Sequence, residues 1–298
     1  MEAIRCENLT RQFRTLAAPV LAIDRLDLTI PEGSIYALVG PNGAGKTTLI
    51  KVLVNLLAPT SGRASVLGMD SRQIRGGAFT NIGYVSENQD LPEWMSVGYF
   101  LRYLRPFYPA WDDALAAELV REFTLPPDRK IKHLSRGMKM KLALASSLAY
   151  RPRLVLLDEP FSGLDPLARD EFVRGLLERA EDVTIFVSSH DLAEIESFAT
   201  HIGYLDSGRL LFSEEIAALA ARFREIEFSY TGLSLGVLPD HWLRVEHSPS
   251  RVRFIESRFD PERTPELIRS AFTDAGEITA RPMSLREIFV ALAARSKR

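Results

Sequence analysis

Apolar residues are arranged along this chain in three textures, and each predicts a different kind of element. In the first they run on without alternation, as in Ser34-Ile35-Tyr36-Ala37-Leu38-Val39, Arg153-Leu154-Val155-Leu156-Leu157-Asp158 and Val183-Thr184-Ile185-Phe186-Val187-Ser188. Short runs that are apolar toward both faces belong to strands inside a parallel sheet. A second texture is shorter and alternates. Ile4 to Leu9 and Leu26 to Ile30, the latter closed by Pro31-Glu32-Gly33, predict an antiparallel β flap, with Phe13 on the connection between them. Ala64 to Gly68 and Asn81 to Val85 predict two more strands. The third texture is helical. Thr48 to Leu57 has the spacing of a buried helix and stops at Ala58-Pro59-Thr60-Ser61-Gly62.

Leu91 to Phe123 is also helical but rich in aromatic residues, with Trp94, Tyr99, Phe100, Tyr103, Phe107, Tyr108 and Trp111 close together. Pro106 and Pro109 divide it, and Trp111 to Phe123 forms the second helix. From Phe212 the pattern shifts to short strands at Glu225 to Tyr230, Trp242 to Glu246 and Arg251 to Ile255, followed by helices at Pro265 to Ala275 and Ser284 to Ala294. Ser284 with Glu287 forms a capping box at the start of the last helix. The expected fold is α/β. A parallel sheet carries the antiparallel β flap and an all-helical subdomain at about 91–150, all within residues 1–219, and a small α+β domain occupies 220–298.

One motif gives this sheet its chemistry. Gly40-Pro41-Asn42-Gly43-Ala44-Gly45-Lys46-Thr47 fits G-x-x-x-x-G-K-[ST], and it stands between an apolar run and a helical one, as a P-loop must. Glycines let successive backbone amides converge on phosphate oxygens, and the helix adds its positive end. Lys46 supplies a point charge to the β- and γ-phosphates, and the Thr47 hydroxyl is a ligand for Mg²⁺. The sheet is therefore expected to be that of a P-loop NTPase. Leu156-Leu157-Asp158-Glu159 ends the second apolar strand in two carboxylates, on the side where doubly wound folds bind ligands. Asp158 is expected to hold Mg²⁺ and Glu159 to orient the attacking water. His190, just beyond the third strand, is a candidate γ-phosphate sensor. Ser135 and Gly137, at the start of a helix running to about Tyr150, form a second anion site with no place in the same pocket.

Composition narrows the partners. The 298 residues are 46% apolar, enough for a full core, and carry a formal net charge of −2. With a sequence pI near 6.3 there is no basic field for a nucleic-acid backbone, so no nucleic-acid partner is expected. Cys6 is the one cysteine, which suits a reducing compartment. No apolar stretch approaches the length of a spanning helix, and Met1-Glu2-Ala3-Ile4-Arg5 begins no signal peptide, so a cytoplasmic location is expected.

Taken in order, these motifs resemble the nucleotide-binding subunit of an ABC transporter over residues 1 to about 212. Gly40 to Thr47 is similar to that family's Walker A, Leu134 to Lys139 to its signature and Leu154 to Glu159 to its Walker B. Ser162 to Asp165 is similar to its D-loop, and His190 to its switch histidine. The resemblance implies ATP and Mg²⁺ as ligands and Phe13 as the residue that stacks on the base. It also implies a head-to-tail homodimer or heterodimer, in which Ser135, Gly137 and Asp165 of one subunit meet the phosphates held by Gly43 to Thr48 of the other. The aromatic groove between Trp94 and Trp111 would then receive a cytoplasmic helix of a transmembrane permease. Pro106 to Asp112 and the Arg-Gly-Met-Lys signature look most like the exporter branch that includes YtrB-like subunits. A soluble ABC ATPase acting as a regulator, or in repair or translation, is the alternative, although the long coiled-coil insertion or second P-loop of repair and translation ATPases is missing. Two stretches depart from the family. Arg136 and Met138 stand where Gly and Gln are commonest, and Ser86-Glu87 stands where Pro-Gln is usual. Glu87 is expected to offer Mg²⁺ a carboxylate in place of an amide oxygen and to steepen the Mg²⁺ dependence of ATP binding.

Overall fold

The computed structural model describes residues 1–14, 18–179, 183–232 and 238–295, in two compact units, Met1–Ser213 and Glu214–Arg298. In the first unit, β1 (Glu2–Phe13) and β2 (Val20–Pro31) pair antiparallel from Glu2 opposite Pro31 to Phe13 opposite Val20. Both strands run past their alternating apolar cores. Phe13 therefore ends β1 instead of lying on the connection, of which residues 15–17 are outside the described set. Every residue of β3 (Ile35–Val39) is buried, and the chain passes from it through the glycine loop into α1 (Lys46–Leu53). That helix ends four residues short of Leu57, because Asn55 turns into the left-handed region at φ 56° and its side-chain amide donates to the carbonyls of Arg72 and Ile74. With β4 (Ser61–Val66) and β5 (Met69–Asp70) the first two strands complete a sheet of order β2-β1-β4-β5, which is the expected flap.

A helical segment and the rest of the α/β core follow. The elements are β6 (Ile82–Ser86), α2 (Val97–Leu104), α3 (Asp113–Glu122), α4 (Arg136–Leu148), β7 (Leu154–Asp158), α5 (Pro166–Leu177), β8 (Thr184–Ser189), β9 (His201–Asp206) and β10 (Arg209–Glu215). They build a second sheet of order β10-β9-β3-β8-β7-β6, in which β3 runs parallel to β8 and β9, and β7 parallel to β6 and β8. The strands β3, β7 and β8 are buried throughout, as their unbroken apolar runs require. Their C-terminal ends come out on one edge, and the functional loops start there.

Between β6 and β7, α2 and α3 are separated by the 3₁₀ turn Arg105–Phe107, which contains Pro106. Ser96 caps α2 by accepting from the Tyr99 amide at 3.3 Å, and Asp112 caps α3 by accepting from the Leu115 amide at 2.9 Å. Each such cap stabilises its helix by about 1 kcal/mol. Phe100, Leu101, Leu119 and Phe123 turn inward, while Trp94, Tyr99, Tyr103 and Phe107 remain exposed. The Trp94 ring lies 5.9 Å from that of Tyr99, between centroids, and keeps 65% of its surface in solvent.

The second unit comprises α6 (Ile216–Arg222), β11 (Arg224–Ser229), β12 (Trp242–Ser248), β13 (Arg251–Glu256), α7 (Arg263–Ala271), β14 (Thr279–Pro282) and α8 (Leu285–Arg295). Its sheet has the order β12-β13-β11-β14. Phe228, Trp242, Phe254, Ile268 and Phe272 form its core, with the Trp242 ring 4.4 Å from that of Phe254. The Ser284–Glu287 capping box forms in both directions: Ser284 N donates to Glu287 Oε2 at 2.7 Å, and Glu287 N donates to Ser284 Oγ at 3.3 Å. The boundary falls after Ser213, earlier than the expected 219, because α6 belongs here. The Arg222 guanidinium binds Glu214 and donates to the Ser257 carbonyl at 2.7 Å. Residues 296–298 of the expected domain lie outside the described residues.

Candidate functional site

At the end of β3 the loop has no room for a side chain at Gly40 or Gly45. A Cβ at Gly40 would sit 2.1 Å from the Leu205 carbonyl oxygen, and one at Gly45, whose φ is 110°, would sit 2.2 Å from that of Ala22. Only glycine fits the contact at Gly40, and at Gly45 both the contact and the dihedral. Ala44 N donates to Pro41 O at 3.1 Å to close the turn, and Ala44 O accepts from Gly208 N at 2.9 Å, which pins the loop to the β9–β10 turn. Pro41, Asn42 and Gly43 face outward, and the loop delivers the chain into the first turn of α1 with Lys46, Thr47 and Thr48.

Lys46 is buried, with 5% of its surface exposed, and all three of its donors are used. Its Nζ reaches Gly40 O at 2.6 Å, Pro41 O at 3.2 Å and Glu159 Oε1 at 3.0 Å. The second Glu159 oxygen lies 2.8 Å from His190 Nδ1, which carries the proton of this bond because a carboxylate only accepts. The hydrogen bond to Glu159 holds the His190 imidazole above its ordinary pKa. One carboxylate thus joins the loop lysine to the histidine beyond β8, and the three residues named catalytic from the sequence form one connected group. Glu159 itself sits at φ 50°, a left-handed conformation that costs a non-glycine residue about 1 kcal/mol and is typical of functional turns.

Asp158, the last residue of β7, is buried beside this group. Its Oδ1 accepts from Thr47 Oγ1 at 3.0 Å and from Ser188 Oγ at 2.9 Å. Ser188 in turn accepts from the Glu159 amide at 3.0 Å. Burial pushes the Asp158 carboxyl above the usual carboxylate range, against the pull of the two hydroxyls. Ser188 was not singled out from the sequence. The signal for it was a hydroxyl at the C-terminal end of an otherwise apolar parallel strand.

The other expected residues divide into near and far. Ser135 is the N-cap of α4 and accepts from the Met138 amide at 3.2 Å, which leaves its hydroxyl proton free to donate. Gly137 lies where a Cβ would come within 3.1 Å of the Ala168 side chain, so α4 and α5 approach closely there. Asp165 caps α5, accepting from the Ala168 amide at 2.9 Å. Phe13 is half-buried under the Arg11 guanidinium, 4.6 Å from its ring centroid. Glu87 does not join Thr47 and Asp158. Its carboxylate oxygen Oε1 is taken by Arg136 and by Ser162 Oγ, the latter at 2.8 Å, because a guanidinium and a hydroxyl offer it charge and two donors. The carboxylate expected to ligate Mg²⁺ is held here by these two protein donors.

The remaining pair suits a divalent ion. A buried carboxylate carrying a desolvation cost and, among the described residues, no ion pair, set against a hydroxyl, is a set of hard oxygen donors. Among the described residues no three His, Cys, Asp or Glu side chains cluster to form a cage. Two protein oxygens are the number that Mg²⁺ takes when waters and phosphate oxygens complete its shell.

A glycine loop at the end of a parallel strand, a buried lysine, and an Asp-Glu pair ending a neighbouring strand define a P-loop nucleotide site in an α/β NTPase fold. Comparison with known proteins narrows this class. The family described as ABC transporter matches residues 23–162. The probable multidrug ABC transporter ATP-binding protein YbhF of Escherichia coli is 36% identical over 218 residues, covering 70% of this chain but only 36% of that protein. The lantibiotic transport ATP-binding protein SrtF of Streptococcus pyogenes is 32% identical over 217 residues, covering 71% of this chain and 90% of SrtF. YtrB of Bacillus subtilis, an ABC transporter ATP-binding protein, is 27% identical over 269 residues, 89% of this chain and 91% of YtrB. Among solved structures, an ATP-binding subunit of an ABC transporter superposes with a TM-score of 0.65 at 26% identity, covering 74% of this chain and 92% of that one. The chain belongs to the ABC transporter family of ATP-binding proteins. Among the described residues no helix is long and apolar enough to cross a membrane.

Proposed function

We propose that the chain is the ATP-hydrolysing subunit of an ABC exporter, working at the inner face of the membrane on a separate permease. The observation that carries this reading is the Glu159 carboxylate, bonded to Lys46 on one side and His190 on the other. A phosphate held by the loop backbone and Lys46 lies next to the group that orients the attacking water, and His190 is placed to follow the γ-phosphate. Thr47 and Asp158 are the residues that would hold Mg²⁺, which when bound neutralises charge on the phosphates. Phe13 stacks on the base. Relatives named for multidrug and lantibiotic transport support the exporter branch.

Ser135 and the α4 amides make a second anion-binding end with no partner phosphate in the same chain. They serve the nucleotide of a second copy or a related subunit, with Asp165 at the seam. ATP then bridges two subunits only in the closed pair, so binding favours closure and hydrolysis removes the bridge. The exposed Trp94, Tyr99, Tyr103 and Phe107 offer the permease its docking face. Light scattering of Glu159→Gln with ATP and Mg²⁺ tests the pairing. The mass should double from that of the 33.4 kDa chain. A monomer at high protein concentration would remove the second copy from the reading.

A further inference from the structure

Glu87 and Arg136, one residue from each of the two stretches that depart from the family pattern, lie 49 residues apart in sequence and meet each other in the fold. Arg136 is the first residue of α4, and its guanidinium binds Glu87 Oε1. Ser162 Oγ donates to the same oxygen at 2.8 Å. The guanidinium also lies across Gly163, where a Cβ would be 2.9 Å from Arg136 Nη1. The backbone of residue 87 is fixed as well, since Glu87 N donates to the Asp158 carbonyl at 3.0 Å at the end of β7. One side chain therefore connects three loops that are distant in sequence: the end of β6, the start of α4 and the turn after β7.

We propose that Glu87 and Arg136 act as one positioning pair, which sets the first turn of α4, with Ser135 and Gly137, against the turn at 162–165 and the Asp158 end of β7. The proposal rests on the ATPase reading above. An isolated ion pair as exposed as this, with Arg136 half in solvent, would contribute little. Three features set this one apart: a second donor on the same oxygen, a backbone anchor under the carboxylate, and the close approach of α4 to α5 at Gly137, through which a shift of Arg136 is passed on. Neighbouring Lys139 and Glu93, 3.0 Å apart, form a pair whose carboxylate is more exposed than that of Glu87. Glutamine at 87 keeps the length of the side chain and loses the charge that holds the guanidinium, so the identity of residue 87 follows from that of residue 136.

The test compares wild type with Glu87→Gln, Arg136→Gln, the double variant and Arg136→Lys. It measures kcat, KM for ATP, the Mg²⁺ concentration for half-maximal rate, and hydrogen exchange at the Met138 and Lys139 amides in the first turn of α4. Each single Gln variant should lower kcat about fivefold, and the double variant should lose no more than either, since coupled residues are non-additive. KM and the Mg²⁺ requirement should stay within about twofold, and Arg136→Lys should recover most of the rate because it keeps the charge. Exchange in the first turn of α4 should quicken equally in the two Gln variants and no further in the double. Losses that multiply, or exchange that does not change, would overturn the pair. A shift in Mg²⁺ requirement with Glu87→Gln alone would also overturn it and return the carboxylate to the metal. A wild type without turnover would defeat the ATPase reading, while the exchange data would still decide the pair.

Discussion

Replacing Lys46 with Met removes a charge from the most crowded point of the nucleotide site while nearly keeping its volume. The ammonium has 5% of its surface exposed and satisfies two loop carbonyls and the Glu159 carboxylate, whose side chain is 13% exposed. A fully orphaned buried carboxylate costs about 3–5 kcal/mol, but Glu159 keeps its bond to His190, so the loss here should be nearer about 2 kcal/mol. For a unit of this size that lowers Tm by about 4–8 °C. Nucleotide binding suffers separately: a charge-assisted contact to phosphate contributes about 1.5–3 kcal/mol, so ATP affinity should fall by roughly a hundredfold. Calorimetry together with titration of a fluorescent ATP analogue reads both quantities. The double variant Lys46→Met/Glu159→Gln separates them, since removing both charges should restore most of the Tm and none of the affinity. If Lys46→Met keeps both the wild-type Tm and the wild-type affinity, the ion pair and the P-loop assignment fail together.

Asp158→Asn removes a buried carboxylate whose charged form is disfavoured by burial, so it should raise stability at neutral pH while abolishing Mg²⁺-dependent turnover. Chemical denaturation with and without Mg²⁺ checks both, and a destabilised variant would contradict it. The raised pKa of His190 means that its bond to Glu159 stabilises the fold fully below the unfolded imidazole value of about 6.5, and that this contribution is lost as pH rises through the folded value. An NMR titration should therefore show the His190 midpoint moving down in Glu159→Gln, and an unmoved midpoint would place the cause elsewhere. Phe13→Ala should weaken ATP binding by about 1–2 kcal/mol with kcat little changed, as loss of base stacking predicts. Equal ATP affinity in the variant would remove Phe13 from the site.

The parts of the fold that were legible from sequence were those whose burial leaves a periodic trace. The strands β3, β7 and β8 are buried on both faces, so their apolar runs were unbroken and their positions unambiguous. The glycine loop was readable because close contacts at Gly40, and contacts together with a positive φ at Gly45, admit no other residue. β14 left no trace: all four of its residues are exposed and it ends in a proline at the sheet edge. The far halves of β1 and β2 escaped for a related reason, since their pairing continues through register shifts that break the alternation. Within the site, Lys46, Asp158 and Glu159 were found because each ends or follows an apolar strand. The environment of Glu87 was not, because its partners Arg136 and Ser162 are set by the meeting of three loops, which no local pattern encodes. Both departures from the family were visible as single residues; only their contact revealed that they belong together.

In the proposed reaction Glu159 orients the water that attacks ATP. Steady-state hydrolysis and equilibrium ATP-Mg²⁺ binding should be measured side by side for the wild type and Glu159→Gln, which keeps the shape of the side chain and removes its basicity. Hydrolysis should fall by about 10²–10⁴-fold, the contribution of a general base, with ATP bound at least as tightly as in the wild type. A Glu159→Gln protein that turns over ATP within about tenfold of the wild type would contradict it.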